Sequence, residues 1–135
     1  IITKIDLFTK NENVKFFTVD DEYRDVYARS NLVLTDYSSA VFDFAYLRKP
    51  LLYTQFDKSE FYGGDHVGAN GYFQFERDGF GEVAYDYDTT VDLLIEYIEN
   101  GCVLKDKYRE RIDSFFAFND KNNCQRILDK ILELK

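Results

Sequence analysis

The chain has 135 residues, enough for one domain with a single hydrophobic core. With 45% hydrophobic and 18% aromatic residues it is too apolar for a disordered segment, and its 31% charged residues are typical of a soluble surface. The formal net charge of −8 argues against a broad surface for nucleic acid or anionic lipid, because neutralising phosphates requires concentrated Lys and Arg. We therefore expect no nucleic-acid partner, and expect any phosphate to be bound locally.

Several common classes of protein are disfavoured by simple features of the sequence. Cys102 and Cys124 have no CxxC partner or nearby histidine cluster, so we expect neither a zinc site nor a disulfide framework, and no metal or cofactor. No apolar stretch approaches the roughly 20 residues that span a bilayer, and no signal peptide is visible, which favours the cytoplasm. The sequence starts at Ile1 and lacks methionine, so we expect a piece of a longer polypeptide.

The first half alternates short apolar runs with segments of helical character. Three runs are predicted strands: "VKFFTV" (14–19), "LVLT" (32–35) and "PLLYTQF" (50–56). Helices are predicted between them, in residues 20–31 and 38–49, the second ended by Pro50. Strands alternating with helices of about ten residues favour parallel pairing, so we predict an α/β fold with a doubly wound, Rossmann-like sheet.

The second half begins with a predicted long loop and continues with helices. Residues 57–81 hold six of the seven glycines and keep neither helical nor strand spacing. A strand is predicted at 82–86, followed by a helix with Thr89 or Thr90 as N-cap and Gly101 at its end. Its apolar stripe should lie flat on the sheet: Val91, Leu94, Ile95 and Ile98. Two further helices are predicted near 105–117 and 120–134.

A polar loop, "TDYSS" (35–39), follows the second predicted strand. Ligands of open α/β sheets bind beyond the carboxyl ends of the strands, so this loop lies where a site is expected. Free N–H groups at the start of the next helix, together with the hydroxyls of Ser38 and Ser39, would attract phosphate. The carboxylate of Asp36 would repel it, and suits the loop backbone or a substrate hydroxyl better. Helix capping, worth about 1 kcal/mol, explains the same residues equally simply.

Other polar and aromatic residues have two open interpretations each. Asp43, between Phe42 and Phe44, is predicted to be buried and to need hydrogen-bond donors. His66 is either solvated or a chemical group in the loop. Three aromatic residues could either contact a ligand or only pack within the protein: Tyr62, Tyr72 and Phe73. Arg126 could either contact phosphate or only pair with Asp120.

Taken together, the stretch "LVLTDYSSAVFDFAYLRKPLLYTQFD" (32–57) resembles the signature of the CDP-glycerol glycerophosphotransferases, which include teichoic-acid polymerases and primases. The shared elements are the TDYSS loop, the FDF helix, the Lys49-Pro50 turn and an apolar strand ending in an acid. Further similarity lies in the segment from Asp57 to Tyr62, in "GYF" (71–73) and in "FFAFNDKNNCQRILDKI" (115–131). The resemblance covers nearly the whole chain from about residue 14.

The resemblance implies that residues 1–135 form a single domain, the C-terminal nucleotide-binding lobe of a larger GT-B-type transferase. It implies transfer of glycerol phosphate from CDP-glycerol, or of a related alditol phosphate from CDP-ribitol, to a lipid-linked polymer at the inner face of the cytoplasmic membrane. The N-terminal lobe of the same protein would be a partner. The resemblance places the diphosphate at Ser38 and Ser39. With the other candidates named above, the predicted substrate-binding residues are Asp36, Ser38, Ser39, Tyr62 and Arg126, and no catalytic residue is assigned.

The sequence also departs from the family pattern. The family's histidine-proline motif and a second family histidine are absent from these residues, Ala69-Asn70 stand where an arginine is usual, and Lys121 replaces a glycine. Two rival functions remain: a non-catalytic α/β interaction module, and a lobe of a glycosyltransferase that uses a nucleotide sugar.

Overall fold

A computed structural model of the chain describes residues 17, 22–63 and 71–134. The chain divides into two compact units, Ile1–Ser30 and Asn31–Lys135. In the first unit, helix α1 spans Tyr23–Arg29 and confirms the helix predicted within residues 20–31. The predicted strand at 14–19 lies outside the described residues except for Phe17.

The second unit is built on a parallel sheet. Strands β1 (Val33–Thr35), β2 (Leu51–Thr54) and β3 (Gly81–Ala84) follow one another in the order β1-β2-β3. Leu52 lies in register with Leu34 on one side and Glu82 on the other. With its flanking helices this sheet confirms the predicted α/β, Rossmann-like class, as expected for half of a GT-B fold.

Pro50 and Gly81 show how residue type determines the start and the spacing of the strands. Pro50 precedes β2 directly, where a missing N–H costs nothing, and its carbonyl accepts the N–H of Val33 at 3.3 Å. Gly81 begins β3 so close to β2 that a Cβ there would lie 1.9 Å from the carbonyl oxygen of Leu51. Only glycine permits this approach.

Six helices accompany the sheet in the described part of the second unit. They are α2 (Val41–Tyr46), α3 (Lys58–Gly63), α4 (Phe75–Asp78), α5 (Tyr87–Glu99), α6 (Asp106–Phe115) and α7 (Asn123–Glu133). The prediction of an unbroken loop over 57–81 is therefore wrong at both ends, where α3 and α4 form. The largest fully buried side chains include Phe44, Tyr53, Phe80, Tyr97, Tyr108 and Ile112.

Helix α5 packs against β2 and β3 as predicted, but it starts one turn early. Its N-cap is Asp86, whose carboxylate accepts the N–H of Thr89 at 2.8 Å, so the predicted cap at Thr89 or Thr90 is wrong. An aspartate cap is favoured because it satisfies an amide that has no partner within the helix.

The buried face of α5 also differs from the predicted stripe. Thr90 and Tyr97 lie seven positions, or about two helical turns, apart and are 5% and 1% exposed. Ile98, in contrast, is 65% exposed. The chain leaves the helix through Gly101, at φ +69°, which confirms the predicted stop. Along α7 and its C-cap, large apolar side chains are exposed: Ile127, Leu128, Ile131, Leu132 and Leu134.

Candidate ligand site at the carboxyl edge of the sheet

The loop after β1 is folded back on itself by its own polar side chains. The Asp36 carboxylate accepts the N–H of Ser38 at 3.2 Å, and the Ser38 hydroxyl accepts the N–H of Ala40 at 3.3 Å. Asp36 therefore bonds the loop backbone, one of the two roles expected for it. This is a local side-chain turn of the kind that Asp and Ser favour.

The start of α2 offers fewer free amides than the sequence predicted. The N–H of Val41 lies 3.4 Å from the carbonyl of Ser38, and the N–H of Phe42 lies 3.1 Å from that of Ser39. The N-cap residue is Ala40, without a side-chain cap, so neither serine caps the helix in the predicted way. Ser38 and Ser39 are both exposed, so the loop presents two hydroxyl groups to solvent, beside the exposed carboxylate of Asp36.

Tyr37 connects this loop to the segment after β2. Its ring stacks on Phe61 at 3.6 Å between centroids and meets Tyr62 edge-on at 5.9 Å. Its hydroxyl donates to the carboxylate of Asp57 at 3.2 Å. Burial, and then the charge of Asp57, raise the pKa of Tyr37, so the phenol stays protonated and remains a donor. The predicted site residue Tyr62 is thus brought next to the TDYSS loop.

A cleft of about 520 Å³ opens beyond the carboxyl ends of β2 and β3. We call it the β2–β3 cleft; it is lined by Gln55, Phe56, Lys58, Ser59, Tyr62 and Tyr85. Tyr62 belongs to this cleft and also touches Tyr37. The cleft and the TDYSS loop are therefore neighbours at one edge of the sheet, where such folds bind ligands.

Gln55 is an unusual residue in the β2–β3 cleft. It is 1% exposed, and its amide atoms Nε2 and Oε1 are buried without a hydrogen-bond partner among the described residues. Its backbone is held firmly, the N–H donating to Ala84 at 2.8 Å and the carbonyl accepting from Lys58. A buried unpaired polar group costs about 1–3 kcal/mol, so folding alone does not favour glutamine here.

Lys58, Glu76 and Tyr85 form a cluster at the rim of the cleft, which we call the edge triad. Glu76 accepts short hydrogen bonds from Lys58 and Tyr85, and Lys58 lies 3.3 Å from the Tyr85 hydroxyl. Partial burial alone would raise the pKa of Glu76, but these bonds outweigh it and lower that pKa to about 2. The hydrogen bond to Glu76 raises the pKa of Lys58. The two charges therefore compensate each other.

Arg126 is not brought into contact with the loop or the cleft in the described structure. It pairs with Asp120 and with Asn123, and its guanidinium lies 3.7 Å from the ring centroid of Phe118. Its hydrogen bond to Asp120 lowers the pKa of that carboxyl. The interpretation of Arg126 as a partner of Asp120 is confirmed, while a phosphate contact stays a prediction.

The remaining candidate site residues differ in how exposed their side chains are. Asp43 is exposed, so the prediction of a buried carboxylate is wrong; α2 turns it away from the core that Phe44 enters. Phe73 packs against Phe42 at 5.4 Å, whereas Tyr72 is 84% exposed. His66 lies outside the described residues.

Two negative observations apply to the described residues. They contain no group of three His, Cys, Asp or Glu side chains placed to hold a metal ion. None of their helices is both long and apolar enough to cross a membrane.

The fold and the position of its loops define a Rossmann-like α/β unit with a polar site at the carboxyl edge of its sheet. The family model for CDP-Glycerol:Poly(glycerophosphate) glycerophosphotransferase matches residues 1–133, and the chain belongs to this family. The resemblance found in the TDYSS stretch is thereby confirmed.

Individual relatives span most of this chain. It is 41% identical to the "Minor teichoic acid biosynthesis protein GgaB" of Bacillus subtilis (strain 168), across 94% of this chain and 13% of that protein. It is 27% identical to the "Teichoic acid glycerol-phosphate transferase" of Staphylococcus aureus (strain NCTC 8325 / PS 47), across 98% of this chain and 33% of that protein.

A third relative is named for a different donor. The chain is 30% identical to a "UDP-N-acetylglucosamine--N-acetylmuramyl-(pentapeptide) pyrophosphoryl-undecaprenol N-acetylglucosamine transferase 2" of Bacillus thuringiensis subsp. konkukian (strain 97-27), across 88% of this chain and 32% of that protein. No solved structure matches the chain. The chain thus spans a third or less of the length of these curated relatives.

Proposed function

We propose that this chain supplies the donor-diphosphate site of an alditol-phosphate transferase. The donor is CDP-glycerol or CDP-ribitol, and the acceptor is a hydroxyl of a lipid-linked teichoic acid or related cell-surface polymer. The observation that carries the proposal is the family match over residues 1–133 together with the exposed TDYSS hydroxyls at the carboxyl edge of the sheet. The protein would act at the inner face of the cytoplasmic membrane, with a further lobe completing the active site.

The proposed transfer requires little covalent chemistry from these residues. An acceptor hydroxyl attacks the phosphorus that carries the alditol, the bond to the bridging oxygen breaks, CMP leaves, and the acceptor proton passes to a base. Catalysis of such transfers depends on positioning and on stabilising charge at the phosphoryl groups. Ser38 and Ser39 would donate their hydroxyl hydrogens to the diphosphate, while Asp36 keeps the loop closed through the Ser38 amide.

The first test is titration of the isotopically labelled chain with CDP-glycerol, CDP-ribitol, CMP and UDP-N-acetylglucosamine, followed by the backbone amide signals of Tyr37 to Val41. We expect selective shifts with the CDP compounds. Replacing both serines, Ser38→Ala with Ser39→Ala, should weaken CDP-glycerol binding about tenfold or more, because two hydrogen bonds to a charged group are lost.

A matched control is Ser114→Ala, an exposed serine on α6. It should leave binding and thermal stability unchanged. If the double variant bound CDP-glycerol as well as the unaltered chain, the serines would not form the diphosphate site. Because catalytic groups are expected in the other lobe, we predict no turnover by this chain alone, and measured turnover would contradict that.

One competing function has specific support. The 30% identity to a UDP-N-acetylglucosamine transferase favours a glycosyltransferase lobe that binds a nucleotide sugar through the same loop. In that case UDP-N-acetylglucosamine, and not the CDP compounds, would shift the Tyr37 to Val41 signals. A non-catalytic interaction module would respond to none of them.

A further inference from the structure

A polar side chain beside the β2–β3 cleft makes no hydrogen bond within the part of the chain that the structure describes. Both amide atoms of Gln55 are covered and lack a hydrogen-bond partner among the described residues, and Gln55 is one of the residues that line a cleft of about 520 Å³. A buried amide that is retained without partners points to a partner that arrives from outside. The backbone hydrogen bonds of Gln55 to Ala84 and Lys58 fix the main chain of this residue at the cleft.

The charge of the cleft indicates which chemical groups suit it. Among the described residues that line it, Lys58 alone is cationic, and its ammonium is already paired with Glu76. Because this pair is compensated, the cleft does not select for a charged group. A neutral, hydrogen-bonding group is favoured instead.

The other lining residues fit a polyhydroxyl group. Three residues of the lining carry hydroxyl groups, Ser59, Tyr62 and Tyr85, and the Gln55 amide has one acceptor and two donor hydrogens. Adjacent alcohol groups, each both donor and acceptor, complement that set. The aromatic rings of Phe56, Tyr62 and Tyr85 supply apolar walls for the carbon chain.

We propose that the β2–β3 cleft is a polyol subsite, in which Gln55 hydrogen-bonds the hydroxyls of the alditol carried by the donor. This rests on the proposed function. Tyr62, which contacts Tyr37 and lines the cleft, joins the subsite to the diphosphate loop. The amide atoms of Gln55 are covered in the structure. The side chain therefore has to turn into the cleft to bind the alditol.

The test follows the side-chain NH₂ signals of Gln55 by NMR in the unaltered chain, during titration with CDP, cytidine and CDP-glycerol. We expect CDP to shift the Tyr37 to Val41 amides alone, cytidine to leave Gln55 unmoved, and CDP-glycerol to shift both regions. The Gln55→Leu variant should bind CDP-glycerol about five- to tenfold more weakly and CDP equally well. Gln125→Leu, on an exposed glutamine of α7, is the matched control and should change neither affinity.

The other outcomes separate this inference from the proposed function. If CDP shifts the loop amides but CDP-glycerol adds no change at Gln55, the polyol subsite is wrong and the diphosphate site stands. If cytidine moves the Gln55 signals, the cleft holds the nucleobase and the polyol assignment is wrong. If no CDP compound moves the loop amides, the proposed function fails and the subsite fails with it.

Discussion

Two clusters in the second unit have the same three residue types in different surroundings. The edge triad lies at the rim of the β2–β3 cleft, with Tyr85 44% exposed. The second cluster, the inner triad, consists of Glu82 on β3 with Lys105 and Tyr108, and its tyrosine is only 2% exposed. A carboxylate is the shared acceptor in both.

Exposure to water, and not residue type, decides what such a cluster does. In the inner triad the Glu82 carboxylate accepts from Tyr108 at 2.6 Å and from Lys105 at 2.9 Å, joining β3 to α6 and the residue before it. Bonds of this kind strengthen where water is excluded. The edge triad is half exposed, so water competes for its groups and its main effect is to neutralise charge beside a cleft.

The largest predicted difference between the triads comes from removing each carboxylate. Glu82→Ala leaves the buried Tyr108 hydroxyl without its acceptor, while Lys105 retains Glu96 at 2.8 Å. We expect it to lower the free energy of unfolding by about 2 kcal/mol. The matched change at the edge, Glu76→Ala, should cost less than about 1 kcal/mol. Urea denaturation of both variants measures this, and equal losses would contradict the distinction.

A smaller difference is expected from the two tyrosine hydroxyls. Tyr108→Phe removes one hydrogen bond to a charged acceptor in a buried place, and should cost about 1.5 kcal/mol. Tyr85→Phe removes an equivalent bond from a half-exposed place and should cost about 0.5 kcal/mol or less. Thermal unfolding of the pair checks the order, and a larger loss for Tyr85→Phe would reverse our assignment of the buried cluster.

Sequence reasoning predicted elements whose signals are local. The strands β1 and β2 are continuous apolar runs, because a parallel strand covered on both faces needs no polar alternation. Helix α5 is predicted from the length of its apolar pattern and from the stop at Gly101. Its start at Asp86 is also predictable, because Asp is a preferred N-cap and stands three residues before Thr89. The TDYSS loop was placed correctly because a strand end fixes the edge of the sheet.

What the sequence did not predict depends on contacts between distant residues. Helix α3 forms in a segment rich in glycine and aromatics, where stacking of Tyr37 on Phe61 outweighs weak local preference. The edge triad joins Lys58 to Glu76 across 18 positions, with no regular spacing to reveal it. Asp43 was judged buried from its apolar neighbours, but a helix of six residues has a solvent side as well.

Gln55 is a second polar residue whose position in the sequence indicates a site. It is a polar residue at the end of the apolar run of β2, at the same edge of the sheet as the TDYSS loop. The position predicts function for a polar side chain as readily as it does for Ser38. Only the structure reveals that its amide is buried and has no partner in residues 22–63 and 71–134.

The smallest expected effect is the dependence of the edge triad on pH. The folded pKa of Glu76, about 2, lies below its ordinary value of 4.5, so its carboxylate stabilises the fold above pH 4.5 and loses that contribution as the pH falls towards 2. NMR titration of the Glu76 side-chain carbonyl carbon should give a midpoint below 4.5, and Lys58→Met should raise it because the ammonium donor is gone. A midpoint near 4.5 in the unaltered chain would mean that the edge triad does not persist in solution. In that case the charge of Lys58 would be free, and the β2–β3 cleft would favour an anionic group over a neutral polyol.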